Sequence, residues 1–251
     1  MTYLQFLIIF IIPLVITGLI YYTKTKSLLK SDIKEACLFL MFMALIYTTP
    51  WDNYLVKTGV WSYEEHNILF RIGYVPFEEY CFFILQTVLT SSWCLFIFNR
   101  FKLSKHTSSH KPKYIILSTL MCLFILSLFL LYREKSRYLA LILVWALPVF
   151  ILQWTVGGQH LIKNIKVYIF ALLPPTFYLW VVDGYAIYRN IWAISDSQTL
   201  GIKFSYLPIE EAVFFLATNV MLCQGLILYM IMKQDLINSI KGNKLCQRLF
   251  T

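Results

Sequence analysis

The chain has 251 residues, of which 59% are hydrophobic and only 14% are charged, whereas a soluble protein averages roughly a quarter charged residues. This composition excludes an ordinary soluble domain and predicts an all-α polytopic membrane protein. The formal net charge of +9 does not indicate nucleic-acid binding, because the basic residues fall between apolar runs, as they do in membrane proteins.

Seven apolar stretches are predicted to be transmembrane spans, which need about 17–25 residues each. The first has no basic residues ahead of it and no small-residue cleavage pattern, so we expect a retained helix rather than a signal peptide. The second and sixth have only 16 residues and stop at Asp52 and Asp183, which places these aspartates at helix ends near the membrane surface. The seven stretches cover residues 3–22, 36–51, 79–99, 114–132, 138–156, 167–182 and 210–232.

The distribution of Lys and Arg predicts how the spans are oriented. The loops after odd-numbered spans and the C-terminal tail carry 15 of these residues, and the N-terminus and the other loops carry 7. By the positive-inside rule the C-terminus is cytoplasmic, and the N-terminus and both long loops (52–77 and 183–207) lie outside. The membrane is expected to be the plasma membrane.

Two segments of the chain repeat one another. "WDNYLVKTGVW" at 51–61 aligns with "VDGYAIYRNIW" at 182–192, and "VPFEEY" and "LPIEEA" follow at corresponding distances. Spans 1–3 therefore repeat as spans 5–7 in the same orientation, which predicts a pseudo-two-fold axis along the membrane normal and a cavity shared between the halves. We divide the chain into a first half-repeat (1–99), a linker with span 4 (100–133), and a second half-repeat with the tail (134–251).

Each repeat places a pair of glutamates at the head of an apolar span: Glu78 and Glu79, then Glu210 and Glu211. One interpretation is structural, since proline and acidic residues suit the first turn of a helix. The repetition favours function, because carboxylates at membrane depth are costly and tend to mark functional sites. Adjacent helical residues point about 100° apart, so we expect one carboxyl of each pair to enter the cavity. The second carboxyl of each pair would orient the first, pair with a basic residue, or contact the equivalent glutamate of the other repeat. A buried carboxyl that keeps its proton would act as a general acid.

Other polar and aromatic residues extend this candidate site. Asp52 and Asp183 are either boundary residues or further acids. Aromatic rings could form an interfacial belt or stabilise a carbocation through cation–π attraction. The candidates for the second role are Trp61, Trp192, Tyr54, Tyr185, Phe82, Phe83, Phe214 and Phe215. Because the chain has no G-x-G-x-x-G, no P-loop and no metal-binding histidine spacing, we expect no cofactor and no metal. The chemistry should be redox-neutral acid–base catalysis on a lipid-soluble substrate.

The segments "DNYLVKTGVWSY", "VPFEEYCFFILQTVLTSSW" and "LPIEEAVFFLATNVMLCQGL" resemble the small membrane-integral lycopene β-cyclases over nearly the whole chain. In that family the two halves are separate subunits, joined in one chain, or fused to phytoene synthase. The resemblance implies isomerisation of the open ψ end groups of lycopene to β-ionone rings, with Glu78, Glu79, Glu210 and Glu211 matching the family's P-x-E-E motifs. It also implies a helical arrangement akin to intramembrane prenyltransferases, a lipid bilayer around the protein, and other carotenoid-pathway enzymes as partners.

Several alternatives stay open at this point. The product could carry ε rings, a single ring or a C50 skeleton, or the chain could be a Mg²⁺-dependent prenyltransferase-like enzyme, a transporter or a lipid-binding scaffold. The second repeat also departs from the first, with Arg189-Asn190 in place of Thr58-Gly59. An Arg189 that reached a carboxylate would hold it ionised, so the halves are expected to be unequal. Which of the four glutamates gives up the proton is not decided by the sequence.

Overall fold

The computed structural model describes residues 1–104 and 111–242 of the chain. In these ranges seven helices are long and apolar enough to cross a membrane, which confirms an all-α polytopic membrane protein. We label them α1 to α7: Tyr3–Lys24, Lys30–Lys57, Phe77–Arg100, Lys111–Leu130, Arg137–Lys163, Ile165–Tyr188 and Ile209–Gly242. Lys105, Lys244 and Arg248, which enter the charge count for orientation, lie outside the described residues.

Short strands occupy the two long loops. They are β1 (Trp61–Tyr63), β2 (Arg71–Ile72), β3 (Val75–Pro76), β4 (Trp192–Ile194), β5 (Lys203–Phe204) and β6 (Leu207–Pro208). The pairs β2–β3 and β5–β6 form matching two-residue hairpins immediately before α3 and α7. Strands β1 and β4 pair with each other, so the two loops are joined by backbone hydrogen bonds.

Helices α3 and α7, which carry the two glutamate pairs, form the centre of the bundle and are its most buried spans. They pack against each other, and each also packs against helices of both halves: α1, α2 and α6 lie against α3, and α2, α5 and α6 lie against α7. Helix α4 packs mainly on α5 and is the least buried. The glutamate pairs therefore lie in the most enclosed part of the bundle, where the two long loops cover the first turns of α3 and α7.

Helices α2 and α6 are longer than the 16-residue spans predicted for them. α2 continues through Asp52 to Lys57, and α6 continues through Asp183 to Tyr188. The prediction that each aspartate ends a span is therefore wrong. Hydropathy counting stops at a charged residue, but helical hydrogen bonding continues wherever that side chain finds a place inside the bundle. Both aspartates do so, with exposures of 0% and 2%.

Both of these helices end in the same way, at the position after the cap. Gly59 has φ +71° and Asn190 has φ +52°, which is the left-handed conformation that commonly terminates helices and that Gly and Asn adopt most readily. The chain then turns directly into β1 or β4. The Gly-to-Asn difference between the repeats thus preserves the helix ending, and with it the position of the strands over the glutamates.

Candidate active site

The paired strands β1 and β4 form a lid that carries aromatic residues from both loops. Trp61 pairs with Ile194, and Tyr63 pairs with Trp192. Because side chains alternate along a strand, these four residues share one face, and all four line a cavity beneath the lid. The pairing between the repeats therefore places a tryptophan from each half over one space.

We call this space the acid cavity. It has a volume of about 20 Å³, which is room for about one water molecule. Most of its lining is apolar or aromatic, and its polar groups include one glutamate from each half. It is lined by Tyr3, Phe6, Trp61, Tyr63, Glu79, Phe82, Leu179, Val182, Asp183, Trp192, Ile194, Glu211, Phe214 and Phe215. The arrangement brings three carboxyl groups, those of Glu79, Asp183 and Glu211, into an enclosed, water-poor aromatic pocket.

Glu79 is held by two tyrosine hydroxyls. Its Oε2 accepts hydrogen bonds from Tyr3 Oη at 2.7 Å and Tyr63 Oη at 3.0 Å. Burial raises the pKa of the Tyr63 hydroxyl, and the nearby Glu79 carboxylate raises it further, so Tyr63 keeps its proton and remains a donor. Glu79 Oε1 has no hydrogen-bond partner in residues 1–104 and 111–242, which leaves it free on the cavity side.

Glu211 is held by a different pair of donors. Its Oε1 accepts from Tyr138 Oη at 2.6 Å and from Trp61 Nε1 at 3.1 Å. Trp61 Nε1 also lies 2.9 Å from Tyr138 Oη, so the indole N–H is shared between the carboxylate and the hydroxyl. Like Glu79, Glu211 has its second oxygen without a partner in the part of the chain that the structure describes.

Glu78 and Glu210, the other member of each pair, point away from the acid cavity. Glu78 Oε1 accepts the backbone N–H of Leu69 at 2.8 Å, and Glu210 Oε1 accepts that of Leu200 at 2.7 Å. Both residues are almost completely buried. Each therefore ties the loop preceding its hairpin to the first turn of a central helix, as the 100° separation of neighbouring helical side chains requires.

The two aspartates also differ from each other. Asp183 lines the acid cavity, and its Oδ1 accepts from Trp192 Nε1 at 3.2 Å. Asp52 is fully buried beside the site, and neither of its oxygens has a hydrogen-bond partner within the described ranges. Asp52 therefore does not hydrogen-bond a glutamate, and it does not line the acid cavity.

The aromatic candidates are divided by helical geometry. Five of them line the acid cavity, and three lie outside it. Tyr54 is 49% exposed, and Tyr185 faces a separate outer cavity with Tyr188 and Tyr206. Phe83 faces a groove lined by α2, α3, α5 and α7. Residues two positions apart in a helix point about 200° apart, so Tyr54 and Tyr185 face away from the aspartates that precede them. The five cavity aromatics are Trp61, Trp192, Phe82, Phe214 and Phe215.

Three tyrosines at the site were not among the predicted site residues: Tyr3, Tyr63 and Tyr138. Tyr3 and Tyr138 open the first spans of the two repeats, and each binds the glutamate of its own half. One sequence feature could have identified Tyr3 and Tyr138: in both repeats a tyrosine stands at the start of the first apolar span. Arg189 does not hold a carboxylate: its guanidinium lies 6.0 Å over the Tyr185 ring, and it forms no ion pair with the acids of the described residues.

Comparison with known proteins identifies the family. The family model described as lycopene cyclase matches residues 1–101 and 135–232. Lycopene beta-cyclase of Halobacterium salinarum is 41% identical over 194 residues, covering 76% of this chain and 80% of that protein. The bifunctional lycopene cyclase/phytoene synthases of Sporisorium reilianum and Neurospora crassa are each 33% identical, over 88% and 75% of this chain. The chain spans about a third of the length of these two fungal proteins. No solved structure matches, so the likeness to prenyltransferases stays a prediction. The family match covers both halves and both glutamate pairs, and the chain therefore belongs to the lycopene cyclase family.

Proposed function

We propose that this protein is a lycopene β-cyclase that converts the ψ end groups of lycopene to β-ionone rings by acid–base catalysis, without net oxidation or reduction. The observation that carries the proposal is the acid cavity itself. Glu79 and Glu211, one from each half, line the same enclosed aromatic pocket, and each accepts hydrogen bonds at only one oxygen within the described residues. Such a pair suits a reaction that adds one proton and removes another.

The reaction begins with proton transfer from a carboxyl to the terminal double bond of the end group, which leaves a tertiary carbocation. The inner double bond then attacks that carbon, forming the ring and moving the positive charge to a ring carbon. A carboxylate removes a proton from the neighbouring ring carbon, and the electrons of that C–H bond form the ring double bond. One proton enters and one leaves, so the product is an isomer of the substrate.

We propose Glu79 as the proton donor and Glu211 as the proton acceptor. The indole N–H of Trp61 can only donate, so the Glu211 oxygen that it contacts serves as an acceptor. The hydroxyls of Tyr3 and Tyr63 can turn to donate or accept, so they accommodate Glu79 both protonated and ionised. After each turnover the proton returns from Glu211 to Glu79 across the cavity, which restores the starting state.

The aromatic walls protect the cation between these steps. Trp61 and Phe214 lie edge to face with their ring centroids 5.5 Å apart, and Phe82 and Phe215 lie in the same way at 6.0 Å. Aromatic faces attract a desolvated cation by about 2 kcal/mol. A cavity with so little room for water also delays capture of the cation by hydroxide or water, which would yield an alcohol instead of a ring alkene.

The ring type depends on which proton is removed, because the same ring cation gives a β or an ε ring. The β product is proposed here because a close relative carries that name. Expression in a lycopene-accumulating host, with chromatography of the pigments, tests the proposal. Formation of β-carotene is the expected result. Persistence of lycopene with the protein verified in the membrane would overturn it, and an ε-ring, monocyclic or C50 product would correct the assignment.

We further propose that the protein lies in the plasma membrane with the C-terminus in the cytoplasm and the glutamate-bearing helix starts on the outer side. The charge distribution supports this orientation. We propose the half-repeat division 1–99, 100–133 and 134–251 as well, supported by the matching hairpins and helix ends. Fluorescence of a C-terminal green fluorescent protein fusion tests the orientation, since this reporter fluoresces when it is cytoplasmic. A dark but membrane-inserted fusion would contradict it.

A further inference from the structure

A groove on the side of the bundle is lined by α2, α3, α5 and α7, and we call it the lateral groove. It has a volume of about 250 Å³. Its rim residues Met43 and Leu152 are 43% and 63% exposed, on the apolar flank of helices that cross the membrane. The groove is therefore open to the hydrocarbon, where a carotenoid dissolves.

The inner end of the lateral groove reaches the acid cavity. Phe214 lines both of them. Trp51 stacks on Trp145, a groove residue, at 4.6 Å and 17°, and on Phe214 at 5.6 Å and 14°. Trp51 also meets the cavity residue Trp61 edge to face at 5.8 Å. A continuous wall of aromatic rings thus leads from the lipid side to the carboxyls.

The groove has the shape and polarity that suit an extended hydrocarbon. On α2 it runs from Leu40 to Thr48, about 12 Å at the helical rise of 1.5 Å per residue. Its amide donors are occupied within the protein: Gln86 Nε2 donates to Thr218 Oγ1 and Gln153 Nε2 to the carbonyl of Met221, both at 2.9 Å. Gln153 Oε1 has no hydrogen-bond partner in the described residues, and most of the remaining lining is apolar, which suits a hydrocarbon chain.

A second groove provides the contrast. This opposite groove lies between α1, α3 and α6 and has a volume of about 430 Å³. It is the larger of the two, yet it shares no lining residue with the acid cavity. Size alone would favour the opposite groove over the lateral groove, and the outer cavity beside Tyr185, at about 900 Å³, over both. Neither of these larger spaces shares a lining residue with the acid cavity, so continuity with the carboxyls favours the lateral groove.

We propose that the lateral groove binds the polyene chain of the carotenoid while one end group enters the acid cavity past Phe214. This inference rests on the proposed function and deepens it. Since the closed cavity has room for only about one water molecule, the Phe214 ring must move aside to admit the end group. Because only the lateral one of these two grooves shares a lining residue with the acid cavity, the two ends of lycopene would react one after the other, with release and re-binding between them.

The test measures binding separately from catalysis. Lycopene is achiral, so circular dichroism in its visible band appears only when an asymmetric site holds the polyene. The parent protein is E79Q/E211Q, in which we expect too little conversion to deplete the bound lycopene. Ala44→Phe fills the lateral groove, Leu152→Phe narrows its exposed rim, and Thr17→Phe fills the opposite groove as the matched control.

We expect both lateral-groove variants to raise the lycopene concentration for half-maximal signal at least tenfold, equivalent to about 1.4 kcal/mol, and Thr17→Phe to leave it unchanged. Leu152→Phe decides the outcome if Ala44→Phe does not fold, because its side chain lies at the exposed rim. Loss of signal in Thr17→Phe alone would overturn the inference in favour of the opposite groove. No effect of any variant, or no signal from the parent, would also overturn it, leaving lipid acyl chains as the occupants.

The two proposals fail in distinguishable ways. If the parent binds lycopene as expected but the unsubstituted protein forms no cyclic product, the groove assignment stands and the proposed function falls. If the unsubstituted protein forms β-carotene and Ala44→Phe changes neither binding nor product, the groove assignment falls alone.

Discussion

The surroundings of Glu79 and Glu211 differ although the two residues occupy aligned positions in the repeats. Each glutamate accepts one hydrogen bond from the tyrosine that opens its own half, Tyr3 for Glu79 and Tyr138 for Glu211. The second donor differs: it is Tyr63 at Glu79 and Trp61 at Glu211. Both of these second donors lie on β1. The aligned residues on β4 do not hydrogen-bond a glutamate. Ile194, which aligns with Tyr63, has no donor in its side chain, and Trp192, which aligns with Trp61, donates to Asp183.

The comparison shows how a duplicated scaffold can supply two carboxyls with unequal roles. The helix starts, the hairpins and the first-span tyrosines are kept in both halves, so both carboxyls arrive at the same cavity. The hydrogen-bond donors to the two glutamates differ only in the strands of the lid, where β1 supplies a donor to both glutamates and β4 supplies one to neither. We therefore expect the unequal catalytic roles of the two glutamates to arise from the lid residues rather than from the helices that carry the glutamates.

The largest effects are expected from replacing the cavity glutamates. Glu79→Gln removes the proposed donor, and we expect a 10²- to 10⁴-fold loss of conversion, the usual contribution of a general acid or base, with lycopene accumulating unchanged. Glu211→Gln removes the proposed acceptor after the cation has formed, so we expect residual turnover with ε-ring or hydroxylated products. Pigment chromatography from equal amounts of membrane protein measures both. Identical product profiles from the two variants would contradict the assignment of separate roles.

Loss of one hydroxyl donor should have a smaller effect. Tyr63→Phe removes one of two hydrogen bonds to Glu79, and hydrogen bonds to charged groups contribute about 1.5–3 kcal/mol. We expect initial rates of lycopene conversion to fall by about tenfold or more. Tyr54→Phe is the control, because Tyr54 is exposed and lies outside the cavity. A similar fall in the control would show that the effect is not specific to the site.

The two lid tryptophans provide a direct test of asymmetry. Trp61→Phe keeps an aromatic ring but removes the N–H donor to Glu211, and we expect a loss of about tenfold in rate. Trp192→Phe removes a donor to Asp183 only, so its rate should fall less. The measurement is the same conversion assay, with melting temperatures to show that both variants are folded. A larger loss in Trp192→Phe would reverse the order of importance proposed for the two halves.

The smallest effects are expected at the neighbouring glutamates. Gln at position 78 or 210 still accepts the loop N–H through its amide oxygen, so Glu78→Gln and Glu210→Gln should retain most activity. The weaker neutral hydrogen bond should lower stability by about 1 kcal/mol, measured as a lower melting temperature. Comparing these variants with Glu79→Gln and Glu211→Gln distinguishes two roles: holding the loop through a hydrogen bond, and transferring a proton to or from the substrate. Equal loss of conversion from all four variants would contradict that separation.

Some features of this protein are fixed by local patterns that a reader of the sequence can recognise. Apolar runs predicted seven spans, and the repeated "PFEE" and "PIEE" segments predicted that both glutamate pairs begin helices, as the structure has them. These inferences succeed because burial in lipid and helix initiation depend on residues close in the chain. The predicted ends of spans 2 and 6 failed because Asp52 and Asp183 are accommodated by distant residues that pack around them.

The sequence by itself determined the class of the protein, its duplication and the small set of acids from which the proposed catalytic pair is drawn. Only the tertiary structure decided which of these acids line one cavity. The pairing of β1 with β4 carries Trp61 to Glu211, 150 residues away, and the fold carries Tyr3 to Glu79 across 76 residues. Helical periodicity can say that Glu78 and Glu79 point apart, but not which of them points inward. That choice depends on the rotation of α3 and α7 against their neighbours, which packing across the whole bundle sets.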